Sequence, residues 1–238
     1  MKNALRIHAC LTISALAFGF VLPLAAQTTI YNNSVNDLAI RFNPGTSEIG
    51  NEIVLGGTDR YLQQFSFEWW GLSSNPNSFA GQVQARVEFY LNNGPLFNGY
   101  ATPGPTAFYD SGWFSVPSPS PRSTFVFSTA GGDFSSGGLL LPVVSNMTWT
   151  VQFQGMGLGD SVGVDMYGPP TVGQNFGDFW QRVGTSWILT TNSLTPPYAG
   201  FAADMTATAT VPEPSVIALS VLGGLGLLTA VRRMGRKE

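Results

Sequence analysis

Between residues 27 and 211 the side chains able to do chemistry are almost all carboxylates and aromatic rings. Glu68 and Glu88 fall on the polar faces of two alternating segments. If those strands are neighbours, the two carboxyls could work as acid and base on a glycoside; solvated strand faces with Arg86 nearby are the plainer reading. Asp160, Asp165 and Asp178 sit near Gly-rich turns. Clustered oxygens there could hold calcium, although the spacing matches no EF-hand and ordinary acidic turns explain it as well. Trp70 and Tyr90 fall on the outward phase of their strands, where ring faces can stack on sugars or lie buried under a loop. The missing residue types narrow the chemistry further. His8 and Cys10 are the only histidine and cysteine, and Lys2 and Lys237 the only lysines. A Ser-His-Asp triad, a Cys-His pair, a Schiff-base lysine and a His or Cys zinc site are thereby excluded from residues 27–211. No Gly-rich segment has phosphate-loop or dinucleotide spacing. The expectation is no enzyme and no catalytic residue, with no cofactor beyond the weak calcium candidates.

The same stretch has five arginines, no lysine and about a dozen acidic residues. It is clearly acidic, so nucleic acid would be repelled. Charged residues make up only 11% of the chain and aromatics 13%, and Gly (28) and Pro (16) are frequent. That profile fits an all-β domain with many turns, not disorder. Period-two alternation supplies the strands. Val83, Ala85, Val87, Phe89 and Leu91 share one side of segment 82–91. Phe65, Phe67 and Trp69 alternate with Gln64, Ser66 and Glu68. Trp149, Val151 and Phe153 do so in a later segment, and Phe201, Ala203, Met205, Ala207 and Ala209 in the last. Further strands are expected at 38–42, 52–55, 107–114, 124–128, 161–167 and 186–190. Breakers such as Asn43-Pro44-Gly45 and Pro103-Gly104-Pro105 separate them. About ten short strands, each with one polar face, predict a two-sheet antiparallel β-sandwich of jelly-roll type over 27–211. The Pro-rich stretch 115–123 reads as a surface loop in preference to an interdomain linker.

The two ends follow another pattern. Lys2 and Arg6 precede an apolar run from Cys10 to Leu24, and Ala25-Ala26 presents a cleavage site before Gln27. Residues 1–26 thus read as a secretory signal for signal peptidase, the alternative being a permanent N-terminal anchor. At the far end, Pro212-Glu213-Pro214 precedes an uncharged run, 215–231, and then Arg232, Arg233, Arg236 and Lys237. As a helix that run would reach about 25 Å, at the short end for a bilayer core. The basic stop would remain cytoplasmic and the domain before it would face outward.

Triplet, span and basic stop in this order resemble the PEP-CTERM sorting domain over residues 212–238. The resemblance implies recognition by an exosortase, a membrane-embedded, cysteine-protease-like transpeptidase. It would cut near Pro212, Glu213 and Pro214 and pass the protein to the cell surface or an extracellular polysaccharide matrix. A simple uncleaved anchor is the alternative. The body is generally similar to the sandwich domains that accompany such tails, in Ile30-Tyr31-Asn32-Asn33, in Phe65-Ser66-Phe67-Glu68 and in Tyr109 to Trp113. That similarity identifies no activity. The resulting expectation is an exported, surface-sorted, noncatalytic structural or adhesive protein of the extracellular matrix. A carbohydrate-binding module acting on exopolysaccharide is the other reading.

Overall fold

The structure, a computed structural model, describes residues 26–143, 146–191 and 200–209. The expected signal segment up to residue 25 lies outside them. So do the motif Pro212, Glu213 and Pro214, the span 215–231, and the basic stop Arg232, Arg233, Arg236 and Lys237.

Among the described residues all regular structure is β. The first five strands are β1 (Thr28–Asn32), β2 (Asp37–Phe42), β3 (Ile49–Val54), β4 (Tyr61–Leu72) and β5 (Gln84–Tyr90). Four short ones follow: β6 (Leu96–Phe97), β7 (Tyr100–Ala101), β8 (Tyr109–Asp110) and β9 (Phe114–Ser115). Then come β10 (Ser120–Ser128), β11 (Leu139–Leu140), β12 (Asn146–Gln154), β13 (Ser161–Tyr167) and β14 (Gln174–Asn175). The last are β15 (Asp178–Val183), β16 (Ser186–Thr191), β17 (Gly200–Phe201) and β18 (Ala203–Thr208).

Sheet one has the order β1-β18-β4-β13-β17, with β10 and β11 on the opposite edge of β4 and β2 on the opposite edge of β13. Sheet two has the order β16-β15-β3-β12-β5-β8, with β9 also on β5 and β14 on β3. The ladders are antiparallel in both. β6 and β7 form a separate hairpin.

Alternation decides what each strand buries, because successive side chains in a strand point to opposite faces. Phe65, Phe67 and Trp69 of β4 face inward and meet the inward residues of sheet two. The Phe65 ring centroid lies 5.0 Å from that of Phe89 and 5.3 Å from that of Trp149. Val83, Ala85, Val87, Val151, Phe153, Phe201 and Met205 are buried in the same core. One irregularity shifts the phase. Leu62 lies opposite Ala207 and Gln64 opposite Thr206, so Gln63 is the extra residue of a β-bulge. That lets Leu62 and Phe65, three positions apart, both face the core.

The structure corrects the expected elements in several places. The Pro-rich stretch is not loop throughout, since β10 begins at Ser120 and pairs along β4. Segment 107–114 is broken into β8 and β9 by a turn in which Gly112 N–H donates to Asp110 Oδ1 at 2.8 Å. β1 and β15 were not expected. In β15, Phe179 enters the main core while Trp180 is buried on the other face, so no polar partner alternates with it.

Chain entry and exit coincide. Thr28 at the start of β1 lies opposite Ala207 near the end of β18. Ala26 and Gln27, at the expected cleavage bond, are exposed just before β1.

Candidate functional site

Three residues singled out for different chemistry, Glu68, Trp70 and Asp165, come together on the outer face of sheet one. β13 runs beside the end of β4, with Gly163 opposite Trp70. A Cβ on Gly163 would run into the Phe42 carbonyl of β2 and lie 3.0 Å from the Trp70 indole nitrogen. The absent side chain leaves room for the β2 backbone and the edge of the indole, and Trp70 is only 8% exposed. Its outward phase is real, but it offers little surface to a sugar.

Glu68 is likewise buried, not solvated. It accepts from Arg122 Nε at 2.6 Å, from Arg122 Nη2 at 2.9 Å and from the Tyr167 hydroxyl at 2.6 Å. Two parallel bonds from a planar guanidinium hold the carboxylate in a fixed orientation. The same guanidinium lies 5.5 Å from the Tyr167 ring centroid and reaches Asp37 at 3.4 Å. Arg41 completes the network, 3.0 Å from Asp165 and 3.3 Å from Asp37. Asp165 is fully buried. Burial pushes its carboxyl up to about 6, with Arg41 opposing and Glu68 and Asp37 reinforcing.

Sheet two has a different outer face. Tyr90, Trp180 and Trp187 form a second hydrophobic cluster, against which Phe97, Ala107 and Leu189 pack. Tyr90 is 2% exposed and meets Trp187 edge-on at 5.6 Å. The cover is the β6–β7 hairpin, whose Phe97 ring lies 6.5 Å from Trp180. Asn98 (φ 52°) and Gly99 (φ 89°) make its turn, the left-handed pair that a two-residue hairpin needs. Tyr90 is therefore not an open stacking platform either, because Trp187 packs edge-on against it within a cluster that Phe97 of the hairpin joins. Its hydroxyl is driven far above the ordinary range by burial, with the Glu48 and Glu88 carboxylates adding to the effect.

Charges ring this cluster. Glu48 accepts from Thr150 Oγ1 at 2.8 Å and from Arg182 Nη1 at 3.0 Å. The Arg182 guanidinium stands 5.6 Å from the Trp187 ring centroid. Glu88 lies 3.1 Å from Arg86, which holds Asp110 with two bonds of 2.8 and 2.6 Å. Burial raises Glu88, and Glu48 adds to that. Between the hairpin and the β15–β16 turn lies a groove of about 950 Å³. Leu96, Phe97, Arg182 and Trp187 line it, and among the described residues Arg182 is its one charged lining residue.

Glu68 and Glu88 sit on opposite outer faces, with the whole core between them. β4 and β5 belong to different sheets, so the pair is not brought together for acid–base work on one bond. The three aspartates are not assembled into a calcium site. Asp160 accepts from the N–H groups of Ala80, Gly81 and Gly157 at 2.9, 2.9 and 2.8 Å. Burial opposes the shift, but those donors bring Asp160 down to about 2. Asp165 is engaged with Arg41, and Asp178 lies on sheet two. Among the described residues no group of three or more His, Cys, Asp or Glu is close enough to hold a metal ion.

Arg122, Tyr167, Arg182, Trp187 and the covering hairpin were not singled out by the sequence. Only the hairpin carried a local signal, the Asn98-Gly99 pair between Phe97 and Tyr100. Comparison with protein-family models, with curated proteins and with solved structures returns no match.

Proposed function

We propose that the chain is an exported, noncatalytic structural or adhesive protein, presented outside the cell from a PEP-CTERM-like tail. The observation that carries this reading is the shared exit of both ends. Thr28 and Ala207 are paired neighbours, so the first and last strands, next in sequence to the two segments with membrane-directed patterns, start and finish at one pole of the sandwich. A body held at one pole leaves the opposite pole and both faces available to the matrix. The strand order β1-β18-β4-β10 facing β3-β12-β5-β8 supports the jelly-roll reading of that body. In this reading 215–231 spans the inner membrane, the basic stop stays cytoplasmic, and an exosortase-type transpeptidase processes the tail after signal peptidase acts at Ala26-Gln27. Changing Pro212, Glu213 and Pro214 together to alanine should leave the protein in the membrane fraction. Surface release at the wild-type level would overturn the sorting claim.

The groove beneath the hairpin favours a second reading, a carbohydrate-binding module for exopolysaccharide. Polysaccharide sites pair apolar ring contacts with a few fixed polar donors, and Leu96, Phe97, Trp187 and Arg182 offer that combination. Tyr90 would then act from behind the groove, not as a contact, and Trp70, on the outer face of the other sheet, would take no part. Retention on immobilised exopolysaccharide should be lost in the Leu96→Asp, Arg182→Ala double variant and be insensitive to chelator. Equal retention by wild type and variant would remove this groove from consideration. Chelator-sensitive retention would instead revive calcium.

A further inference from the structure

The edges of the two sheets are not equally protected. The outer side of β1 is covered: Gly56 N–H donates to Ile30 O at 2.7 Å, and Asn32 bonds with Val172 and Thr171 at 3.0 and 2.8 Å. β2 carries Asp37, Arg41 and a left-handed Ala39, features that discourage pairing. β8 and β9 are two residues each. β10 runs for nine residues and bonds to β4 on one side only. At its start Pro121 and a register shift between Ser120 and Ser123 blunt it. Its end is capped by Asp133: Ser128 N–H donates to the Asp133 carboxylate at 2.9 Å, and Ser128 O accepts from Asp133 N–H at 3.1 Å.

Between those protections lies an open window. Thr129 N–H points onto β4, at 3.0 Å from Gln63 O. By strand alternation Phe127 and Phe125 also turn their amides to β4, while Val126 and Thr124 turn theirs outward. Those outward groups have no backbone partner among the described residues. Val126 is 54% exposed. Alongside, a cleft of about 450 Å³ is lined by Tyr109, Phe114, Phe125, Phe127 and Asp133.

The window reads Thr124-Phe125-Val126-Phe127-Ser128: hydroxyl, phenyl, valine, phenyl, hydroxyl. It is self-complementary about Val126. A two-fold axis through that residue sets Phe125 opposite Phe127 and Thr124 opposite Ser128, each copy offering the same surface. Closed two-fold contacts require that property. No charged residue lies between Arg122 and Asp133, so no like charges meet at the axis.

We infer that β10 is a homodimerisation edge, its partner being a second copy of this chain. The second copy adds antiparallel to β10. Val126 N–H and C=O exchange two hydrogen bonds with the partner's Val126, and sheet one continues across the axis. Pro121 and Asp133 bound the window, fix the register and leave no second open stretch on β10. The contact therefore closes as a dimer and does not propagate.

Light scattering on the full-length chain in detergent, over a wide concentration range, tests this. Wild type should pass from monomer to dimer. Val126→Pro removes an outward amide and no bond to β4, a position where an edge strand accepts proline. It should remain monomeric with the wild-type near-ultraviolet circular dichroism. Val126→Lys keeps every backbone group and brings two like charges to the axis, and it should also remain monomeric. If the proline variant loses its native spectrum, the lysine variant decides. A wild type that stays monomeric throughout, or a dimer that survives Val126→Lys, overturns the inference.

Discussion

Each sheet has a part of its outer face closed to solvent, and the two are closed by opposite means. Sheet one closes with charge: Arg122 and Arg41 lie over Glu68, Asp37 and Asp165. Sheet two closes with aromatic area: Tyr90, Trp180 and Trp187 under a hairpin, and the ion pairs stand around the rim. The first closure depends on a carboxylate and a guanidinium keeping each other satisfied. The second depends on packed ring surface and on a cover strapped over it. A face of one kind should fail through an orphaned charge, and a face of the other kind through a cavity.

The largest expected effect is on the aromatic face. Trp180→Ala should cost about 3–5 kcal/mol, the range for emptying a buried aromatic site, and should loosen the hairpin that Phe97 anchors. Denaturant unfolding with hydrogen exchange at 96–101 would read both. A loss below 1 kcal/mol would mean that the hairpin does not depend on the cluster. On the ionic face, Glu68→Ala should cost about 1–3 kcal/mol, because the Tyr167 hydroxyl and a partly exposed Arg122 lose their acceptor. Glu68→Ala with Arg122→Ala should cost less than the sum of the single changes, and strict additivity would show that the pair is not coupled.

Asp165 separates the faces by pH. Its folded value, about 6, lies above the unfolded value of about 4. A raised carboxyl favours the folded state when protonated, so its contribution is present below pH 4 and is lost as pH rises through about 6. The stability of Asp165→Asn relative to wild type should therefore improve between about pH 4 and pH 6 and be level above that. An opposite slope would mean that Arg41 outweighs burial. The smallest effect is expected at Ala39, which has φ 57° on the Asp37 turn. Ala39→Gly should stabilise by about 0.5–1 kcal/mol, since glycine carries no penalty in that region. A destabilised variant would show that the turn is held by the alanine side chain.

Much of the framework was legible because alternation is a local property. The inward residues of β4, β5 and β12, and of β18 as far as Ala207, follow from reading every second position; Ala209, expected on the same side, lies past the end of β18 and is exposed. β15 escaped because both of its faces are buried, leaving Phe179 and Trp180 adjacent with no polar residue between. The site was less legible. Trp70 and Tyr90 were read correctly as outward and are still buried, one beside Gly163 of the neighbouring strand and one against Trp187, far along the chain. Nothing near Glu68 announces Arg122, which lies 54 positions away. Nothing near Glu48 announces Thr150, 102 positions away.

The sequence by itself determined which residues could enter a strand, which of its two faces each would take, and which catalytic residue types residues 27–211 lack. Each depends on residue type or on near neighbours along the chain. Only the tertiary structure decided whether an outward face meets water, an arginine or a hairpin. That choice depends on contacts between segments far apart in the chain, and no local spacing encodes them. The same holds for β10: its self-complementary window is written in the sequence, and its open side exists only because of where sheet one ends.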